Sequence, residues 1–300
     1  MGQLIKLENY ISRYQNDVYH YPGHYIRLKQ EKWKHIFDIW EARLAELKLE
    51  APVEEKTSSF IDRLNDFFKK EENVALEHES EPMPETEEQL KRFFLDSIFQ
   101  FQLNWASTTL SQMSFLDRDY YNDLKLKYFL QRFPDTYLFM YHPVFKLKNA
   151  TVDADLIMIT PVDIQVIKLV EMPSNHTIVA GDDRSWLSEH NRVQSKFLSP
   201  MISLKRTDKI IRSILDYYDL KMPIKKIVLS RTNQIDFYLE PFQTEFIGRD
   251  QHEQWLQKQR QMSSPLKHQQ LKVAEVLLNH SDTVAVHRPE WERSENESSI

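Results

Sequence analysis

The stretch VDADLIMITPVDIQVIKLV, residues 152 to 170, decides the fold predicted for this chain. It holds two apolar runs, 156–159 and 164–170, separated by a short turn that contains Pro161 and Asp163. Short apolar runs of this kind, bounded by turn residues, are typical of strands buried on both faces of a sheet. We therefore expect two central strands, with Asp155 directly before the first and Lys168 within the second.

Outward from these two strands, the hydrophobic period switches between helix and strand. On the N-terminal side, a helix from about Asp119 stops at Pro134, and extended segments follow at 137–141 and 144–148. On the C-terminal side, the pattern predicts a short strand at 177–179, then a helix over 204–218 and a strand over 226–230. This succession predicts a mixed α/β (α+β) unit with the core order αβββαβ, occupying residues 118–232.

The region before this unit is predicted to be helical. Apolar residues spaced three and four apart predict helix from residue 1 to about 50, interrupted at Pro22-Gly23, and a short helix after Ser58, so that 1–70 is a helical N-terminal region. Eight glutamates and no Lys or Arg between 71 and 90 predict an acidic, disordered linker at 71–89. The period resumes at Leu90 and predicts that a helix within 90–117 packs on the core.

The region after the unit, 233–300, is predicted to be a short α/β C-terminal extension. We expect a short strand near 236–239, a helix at 250–261 and a further helix capped by Ser264, with Pro265 in its first turn. The last dozen residues are polar, and we expect them to be disordered.

The composition excludes several classes of protein. Because the 300 residues include no Cys, disulfides, thiolate metal sites and cysteine nucleophiles are excluded. A net charge of −6 argues against a dedicated nucleic-acid coat protein. No apolar segment is long enough for a signal peptide or a membrane span. We therefore expect a cytoplasmic protein with no membrane contact and no disulfide-linked partner.

Several short motifs in the α/β unit resemble a known family. They are Asn122-Asp123, Phe133-Pro134-Asp135, the stretch 152–170, Ser185-Trp186-Leu187 and Ser199-Pro200-Met201. In order and spacing they resemble the nuclease-related domain (NERD) family of the PD-(D/E)XK nuclease superfamily. The resemblance covers a little over a third of the chain and implies a PD-(D/E)XK-like core.

The resemblance also implies where catalytic residues belong. That family places an Asp on one strand and Glu-x-Lys on the next, and Asp155 fits the first position. Lys168 and Val170 stand where the Glu and Lys belong, so we expect Lys168 to form an ion pair with Asp155 in place of a metal. The leading hypothesis is therefore a bacterial pseudoenzyme that binds a protein or nucleic acid in the cytoplasm, without a cofactor.

Two alternatives stay open at this point. In the first, the chain is an active Mg²⁺-dependent nuclease, with catalytic Asp155, Lys168 and Glu171 and with Asp155, Asp123 and Glu171 as metal ligands. A β-bulge would be needed to turn Glu171 onto the active face. Histidine offers no metal-ligand spacing, and we interpret His142, beside Pro143, as a strand-end histidine rather than a catalytic base.

The second alternative is a nucleic-acid binder that grips the phosphate backbone. Nine Lys and Arg against three Asp between 196 and 231 give a local positive excess in a chain of negative net charge. The candidate phosphate-binding residues lie on the predicted helix over 204–218 and are Lys205, Arg206, Lys209 and Arg212. Such contacts would make binding sensitive to salt.

Overall fold

The structure, a computed structural model, describes residues 1–49, 84–148, 150–262 and 264–288. Its α-helices are α1 (Tyr21–Leu49), α2 (Glu87–Trp105), α3 (Leu124–Arg132), α4 (Met201–Tyr217), α5 (Arg249–Gln261) and α6 (His268–Asn279). Two 3₁₀ turns lie at Arg13–Gln15 and Arg118–Asn122. The helix predicted after Ser58, most of the acidic linker and the C-terminal tail fall outside the described residues. Within those residues, no helix combines the length and hydropathy needed to cross a membrane.

The strands are short, and eight of them, the third to the tenth, follow one another between α3 and α4. They are β1 (Gln3–Leu7), β2 (Gln112–Met113), β3 (Leu138–Tyr141), β4 (Val144–Leu147), β5 (Ala150–Asp153), β6 (Leu156–Ile159), β7 (Ile164–Leu169), β8 (Thr177–Val179), β9 (Ser185–His190), β10 (Val193–Leu198), β11 (Ile224–Leu229), β12 (Ile235–Asp236), β13 (Thr244–Ile247) and β14 (Val286–His287). The strands predicted from the stretch 152–170 are confirmed as β6 and β7.

Six strands form a central mixed sheet in the order β1-β3-β6-β7-β11-β13. Strand β6 is antiparallel to both of its neighbours, β3 and β7, while β11 runs parallel to β7 and to β13. The predicted mixed α/β class is therefore confirmed. The register pairs Leu156 with Ile167, which sets Asp155 and Lys168 beside each other at the end of the β6–β7 hairpin.

The sheet is apolar on both faces because successive side chains of each strand point to opposite sides. Ile157 of β6 joins a core built with α1, α4 and α6, whereas the adjacent Leu156 and Met158 join a second core built with α3 and α5. Helix α2 contributes to both cores. We call these the α4 face and the α3 face of the sheet.

Three smaller β elements surround the central sheet. Strands β10-β9-β8-β12 form a four-stranded sheet, β4 pairs with β5, and β14 pairs with β2. The four-stranded sheet packs against the edge of the central one through Trp186, whose ring centroid lies 5.1 Å from that of Phe246. Strand β8 was predicted, and β9 and β10 were not.

Two local predictions are wrong. Residues 3–7 form strand β1, parallel to β3, instead of helix, and the helix begins only at Tyr21. Leu4 and Leu7 are three residues apart, a spacing that fits one face of a helix. All five residues of β1 are buried, as expected for a strand covered on both faces of a sheet, whereas a surface helix buries only one face. The last helix begins at His268 with Lys267 as its N-cap, so Ser264 does not cap it.

Candidate functional site

An open pocket of about 210 Å³ lies on the α3 face, at the end of the β6–β7 hairpin. Its walls are formed by α3, the end of β3, the start of β6 and the end of β7. The lining is apolar at its base and polar at its rim: Phe129, Leu156, Ile167, Leu169, Tyr141, His142, Lys125 and Lys168. A small polar ligand entering it would meet Lys125 and His142, with Lys168 at the edge.

Asp155 and Lys168 form the predicted ion pair across the two strands. Lys168 Nζ lies 2.9 Å from Asp155 Oδ1, and the aspartate side chain is only 4% exposed. The hydroxyl of Thr207, on α4, lies 3.4 Å from Asp155 Oδ2, and it accepts the backbone N–H of Asp155 at 3.1 Å. The carboxylate is therefore held from both sides. Alternation along β6 and β7 puts the side chains of Asp155 and Lys168 on the α4 face, and Lys168 borders the pocket between its α3-face neighbours Ile167 and Leu169.

Glu171 is engaged by a different cation. The guanidinium of Arg231 donates to both of its carboxylate oxygens, at 2.6 and 2.9 Å. Burial raises the pKa of Glu171, but hydrogen bonding to Arg231 outweighs it, and the net pKa is lowered. Arg231 also lies over the ring of Tyr128, whose hydroxyl is 2.6 Å from His252 Nε2. Glu171 therefore belongs to a network with Arg231 and Tyr128.

Asp123 has a third, separate role. As the N-cap of α3 it accepts the backbone N–H groups of Lys125 and Leu126 at 2.8 and 3.0 Å. Its second oxygen accepts the hydroxyl of Tyr141 at 2.8 Å. Such capping satisfies donors that the first turn of a helix leaves open.

A metal centre shared by Asp155, Asp123 and Glu171 does not fit this arrangement, because each carboxylate already serves a different cation or helix end. In the described ranges no group of three or more His, Asp or Glu side chains is placed to hold a metal ion. The assignment of these three residues as ligands stays a prediction, for metal-binding measurements to test.

His142 stands at the pocket rim, directly after β3, as its interpretation as a strand-end histidine predicted. Its backbone has φ 47°, a left-handed conformation that non-glycine residues seldom adopt and that often marks functional sites. The side chain of His142 is exposed on one side, but desolvation by its neighbours lowers its pKa, a hydrogen bond with the backbone of Ala154 opposes this, and the charge of Lys168 lowers the pKa further. A lowered pKa favours the neutral imidazole, the form that can accept a proton.

Three of the four candidate phosphate-binding residues on α4 have partners within the chain. Lys205 Nζ lies 2.5 Å from Asp183, Arg212 pairs with Asp208 at 3.0 Å, and Arg206 donates to the backbone oxygen of Asp153 at 3.1 Å. Lys209 is exposed. This basic helix packs on the opposite side of the sheet from the base of the pocket, and through Thr207 it contacts the Asp155–Lys168 pair.

Comparison with known proteins gives one informative relative. No family model and no solved structure matches the chain. The chain is 38% identical over 113 residues to an RNA 2',3'-cyclic phosphodiesterase of Geobacillus stearothermophilus, which is 34% of this chain and 36% of that protein. The match thus spans about a third of the length of the curated relative.

This relative corrects the leading hypothesis. Its name is that of an active enzyme acting on RNA, which contradicts the expectation of a pseudoenzyme that serves only as a binding module. The preference for a protein without activity is not supported either, since an enzyme is possible. The resemblance to the nuclease-related domain family is not tested by these comparisons and stays a prediction.

The sequence did not predict the pocket residues Lys125 and Tyr141, and it assigned His142 no catalytic role. A weak signal existed, because Tyr141-His142-Pro143 follows an apolar strand as polar residues at a sheet end often do. The signal could not show that Lys125, from the start of α3, faces the same space. That placement depends on how α3 packs across the sheet.

Proposed function

We propose that this chain is a phosphodiesterase that acts on RNA, with the pocket on the α3 face as its active site. The observation that carries the proposal is that Lys125, His142 and Lys168 all border one open pocket. The identity with an RNA 2',3'-cyclic phosphodiesterase over 113 residues supports the same class of reaction. The preferred substrate is a 2',3'-cyclic phosphate, which only RNA can form because it requires the 2'-hydroxyl.

The pocket residues suit hydrolysis of a cyclic phosphodiester. A neutral His142 accepts a proton from a water molecule as its oxygen attacks phosphorus. The ammonium group of Lys125 stabilises the negative charge that grows on the phosphoryl oxygens, and that of Lys168 adds positive charge at the edge of the pocket. The bond from phosphorus to one ribose oxygen then breaks, and that oxygen takes up the proton that His142 accepted, which leaves a phosphate monoester. Asp155 holds Lys168 in position through the 2.9 Å ion pair.

The assay uses an RNA oligonucleotide that ends in a 2',3'-cyclic phosphate, in EDTA and separately with Mg²⁺ or Mn²⁺. We expect ring opening in EDTA, and we expect His142→Ala to lower kcat by about 100-fold or more, the usual contribution of a general base. His287→Ala, an exposed histidine on β14, is the matched control and should keep full activity.

Two further measurements sharpen the assignment. Because the pKa of His142 is lowered from 6.5, kcat/KM should fall on the acid side only at a pH below 6.5. Lys125→Ala should raise KM. Lys127 lies on the same helix, α3, but pairs with Asp96 of α2, so Lys127→Ala should leave KM unchanged. Absence of ring opening with or without divalent ions would refute the proposal, and activity only with divalent ions would refute the role of His142.

We also propose that the central unit is a PD-(D/E)XK-like core. The order α3, β3, β6, β7, α4, β11, with Asp155 before the second core strand, supports this proposal. An experimental structure that superposes, or fails to superpose, on members of that superfamily would test it independently of any activity.

A further inference from the structure

A surface loop between β12 and β13 exposes several large apolar side chains. Tyr238 is 102% exposed, Phe242 is 86% exposed and Leu239 is 77% exposed. Phe237, at the start of the loop, packs its ring on Phe246 at 5.3 Å between centroids and so anchors the segment. We call residues 237–242 the aromatic loop. Clusters of large exposed apolar side chains often mark interaction sites.

The aromatic loop lies beside the basic face of α4. Arg212 Nη2 donates to Gln243 Oε1 at 3.0 Å, directly after the loop, and Lys226 Nζ lies 3.4 Å from the backbone oxygen of Phe242. Glu240, the acidic side chain of the loop, accepts the backbone N–H of Phe246 at 2.7 Å, which fixes one of its oxygens. The loop therefore presents rings next to Arg212, whereas Lys226 is buried beneath the loop.

Part of the positive charge of α4 is not neutralised. Arg212 and Lys205 have the carboxylates of Asp208 and Asp183 as partners. Arg206 donates to a neutral backbone oxygen, and Lys209 makes no ion pair among the described residues. An anion approaching this surface therefore meets two uncompensated cations, Arg206 and Lys209.

We propose that the aromatic loop and the basic face of α4 together form a binding surface for single-stranded RNA, separate from the active-site pocket. Proteins bind single strands by stacking bases on aromatic side chains while cations follow the phosphates, and both parts lie together here. Since α4 packs on the face of the sheet opposite the base of the pocket, this surface would hold a part of the substrate other than the reacting phosphate. The choice of RNA rests on the proposed function.

Charge favours RNA over a second copy of this chain as the occupant. A symmetric dimer through this surface would bring Arg206 and Lys209 of one copy close to the same residues of the other, which repels. A polyanion with exposed bases instead complements both the cations and the rings.

The first experiment measures the binding of a fluorescent single-stranded RNA 12-mer by anisotropy, which needs no catalysis. We expect Tyr238→Ala and Phe242→Ala each to weaken binding about fivefold or more, the loss of one stacked base. Phe115→Ala, a 76% exposed ring elsewhere, is the matched control and should bind as the unmodified chain does. All three side chains are exposed, so the variants should fold normally.

The second experiment tests the cations. The slope of log affinity against log salt should fall by about 0.7 in Lys209→Glu, the value for one phosphate contact on a single strand. His287→Ala, at an exposed position on β14 outside α4 and the aromatic loop, should leave both affinity and slope unchanged.

The third experiment connects the surface to catalysis. Tyr238→Ala should raise KM for the RNA oligonucleotide and leave KM for a 2',3'-cyclic mononucleotide unchanged. The surface proposal would be overturned if Tyr238→Ala and Phe242→Ala bound RNA as tightly as the unmodified chain. It would also be overturned if the unmodified chain were a dimer that these two substitutions dissociate. RNA binding that depends on this surface, without any ring opening, would keep the surface proposal and refute the proposed function alone.

Discussion

Two ion pairs lie near the ends of neighbouring strands of the central sheet, and they are built differently. Asp155 is almost fully buried and receives a single 2.9 Å contact from Lys168, whose side chain stays 38% exposed. Glu171 and Arg231 are buried to a similar degree, at 19% and 22% exposed, and form a two-point contact. In the first pair the carboxylate is enclosed, and only the cation stays partly exposed. In the second, both partners are satisfied by each other.

The difference indicates which pair has been kept for chemistry. A planar guanidinium that matches a carboxylate at two points is a strong structural contact and leaves few donors for a ligand. An ammonium group held at one point keeps two further donors, so Lys168 can contact a phosphate while Asp155 fixes its position. We therefore interpret Glu171–Arg231 as structural and Asp155–Lys168 as part of the site.

The largest effect is expected from Lys168→Met. It leaves the buried Asp155 without its cation, so the free energy of unfolding should fall by about 3 kcal/mol. This is the lower end of the range for a broken buried pair, chosen because Lys168 is itself partly exposed. Activity should also fall. Chemical denaturation gives the stability and the cyclic-phosphate assay gives the rate.

A double variant separates these two consequences. In Lys168→Met with Asp155→Asn no buried charge remains, so most of the lost stability should return while activity stays low. Return of activity together with stability would contradict a role for Lys168 in phosphate binding.

A smaller effect is expected from Arg231→Gln. Glu171 loses a two-point partner but is partly exposed to water, so the free energy of unfolding should fall by about 2 kcal/mol. The ring of Tyr128 also loses the cation above it. Activity on a cyclic mononucleotide should stay within about twofold of the unmodified chain, an order-of-magnitude bound for a residue with no contact in the pocket. A large loss of kcat with intact stability would place Arg231 in the active site.

The sequence predicted the central part of this fold well and its periphery poorly. The apolar runs at 156–159 and 164–170 identify β6 and β7 because strands buried on both faces need apolar residues throughout. Strand β1 was missed because Leu4 and Leu7 fit a helical period, and only the distant β3 makes residues 3–7 a strand. Local pattern does not contain that pairing.

The site followed the same division. The Asp155–Lys168 pair was predicted because strand register and alternation place two residues of one hairpin together. Lys125 and the aromatic loop were not predicted, since each depends on packing between segments distant in the chain. The metal-ligand set of Asp155, Asp123 and Glu171 assumed three free carboxylates. Arg231 is 60 residues from Glu171 in the chain, and sequence spacing cannot show that the two side chains are in contact.

The pH dependence of stability gives a sharper view of the second pair. The folded pKa of Glu171 lies below the ordinary value of 4.5, so this group stabilises the folded state fully above pH 4.5. Its contribution is lost as the pH falls through the folded pKa, because the unfolded chain binds the proton first. Thermal melts between pH 3 and pH 6 should show a decline in Tm that is shallower in Arg231→Gln. Equal slopes would mean that Arg231 does not lower the pKa.

The smallest effect is expected at the exposed pair between Lys205 and Asp183, which have 49% and 66% of their side chains exposed. Water and salt screen such a pair, so Lys205→Ala should change the free energy of unfolding by less than about 0.5 kcal/mol. Asp183→Ala should behave alike in stability but differ in RNA affinity, since it removes a negative charge beside the basic face of α4. We expect Asp183→Ala to bind RNA more tightly and Lys205→Ala to bind it more weakly, with both variants equally stable. That result would show that charge on this surface acts on the ligand and contributes little to the stability of the fold.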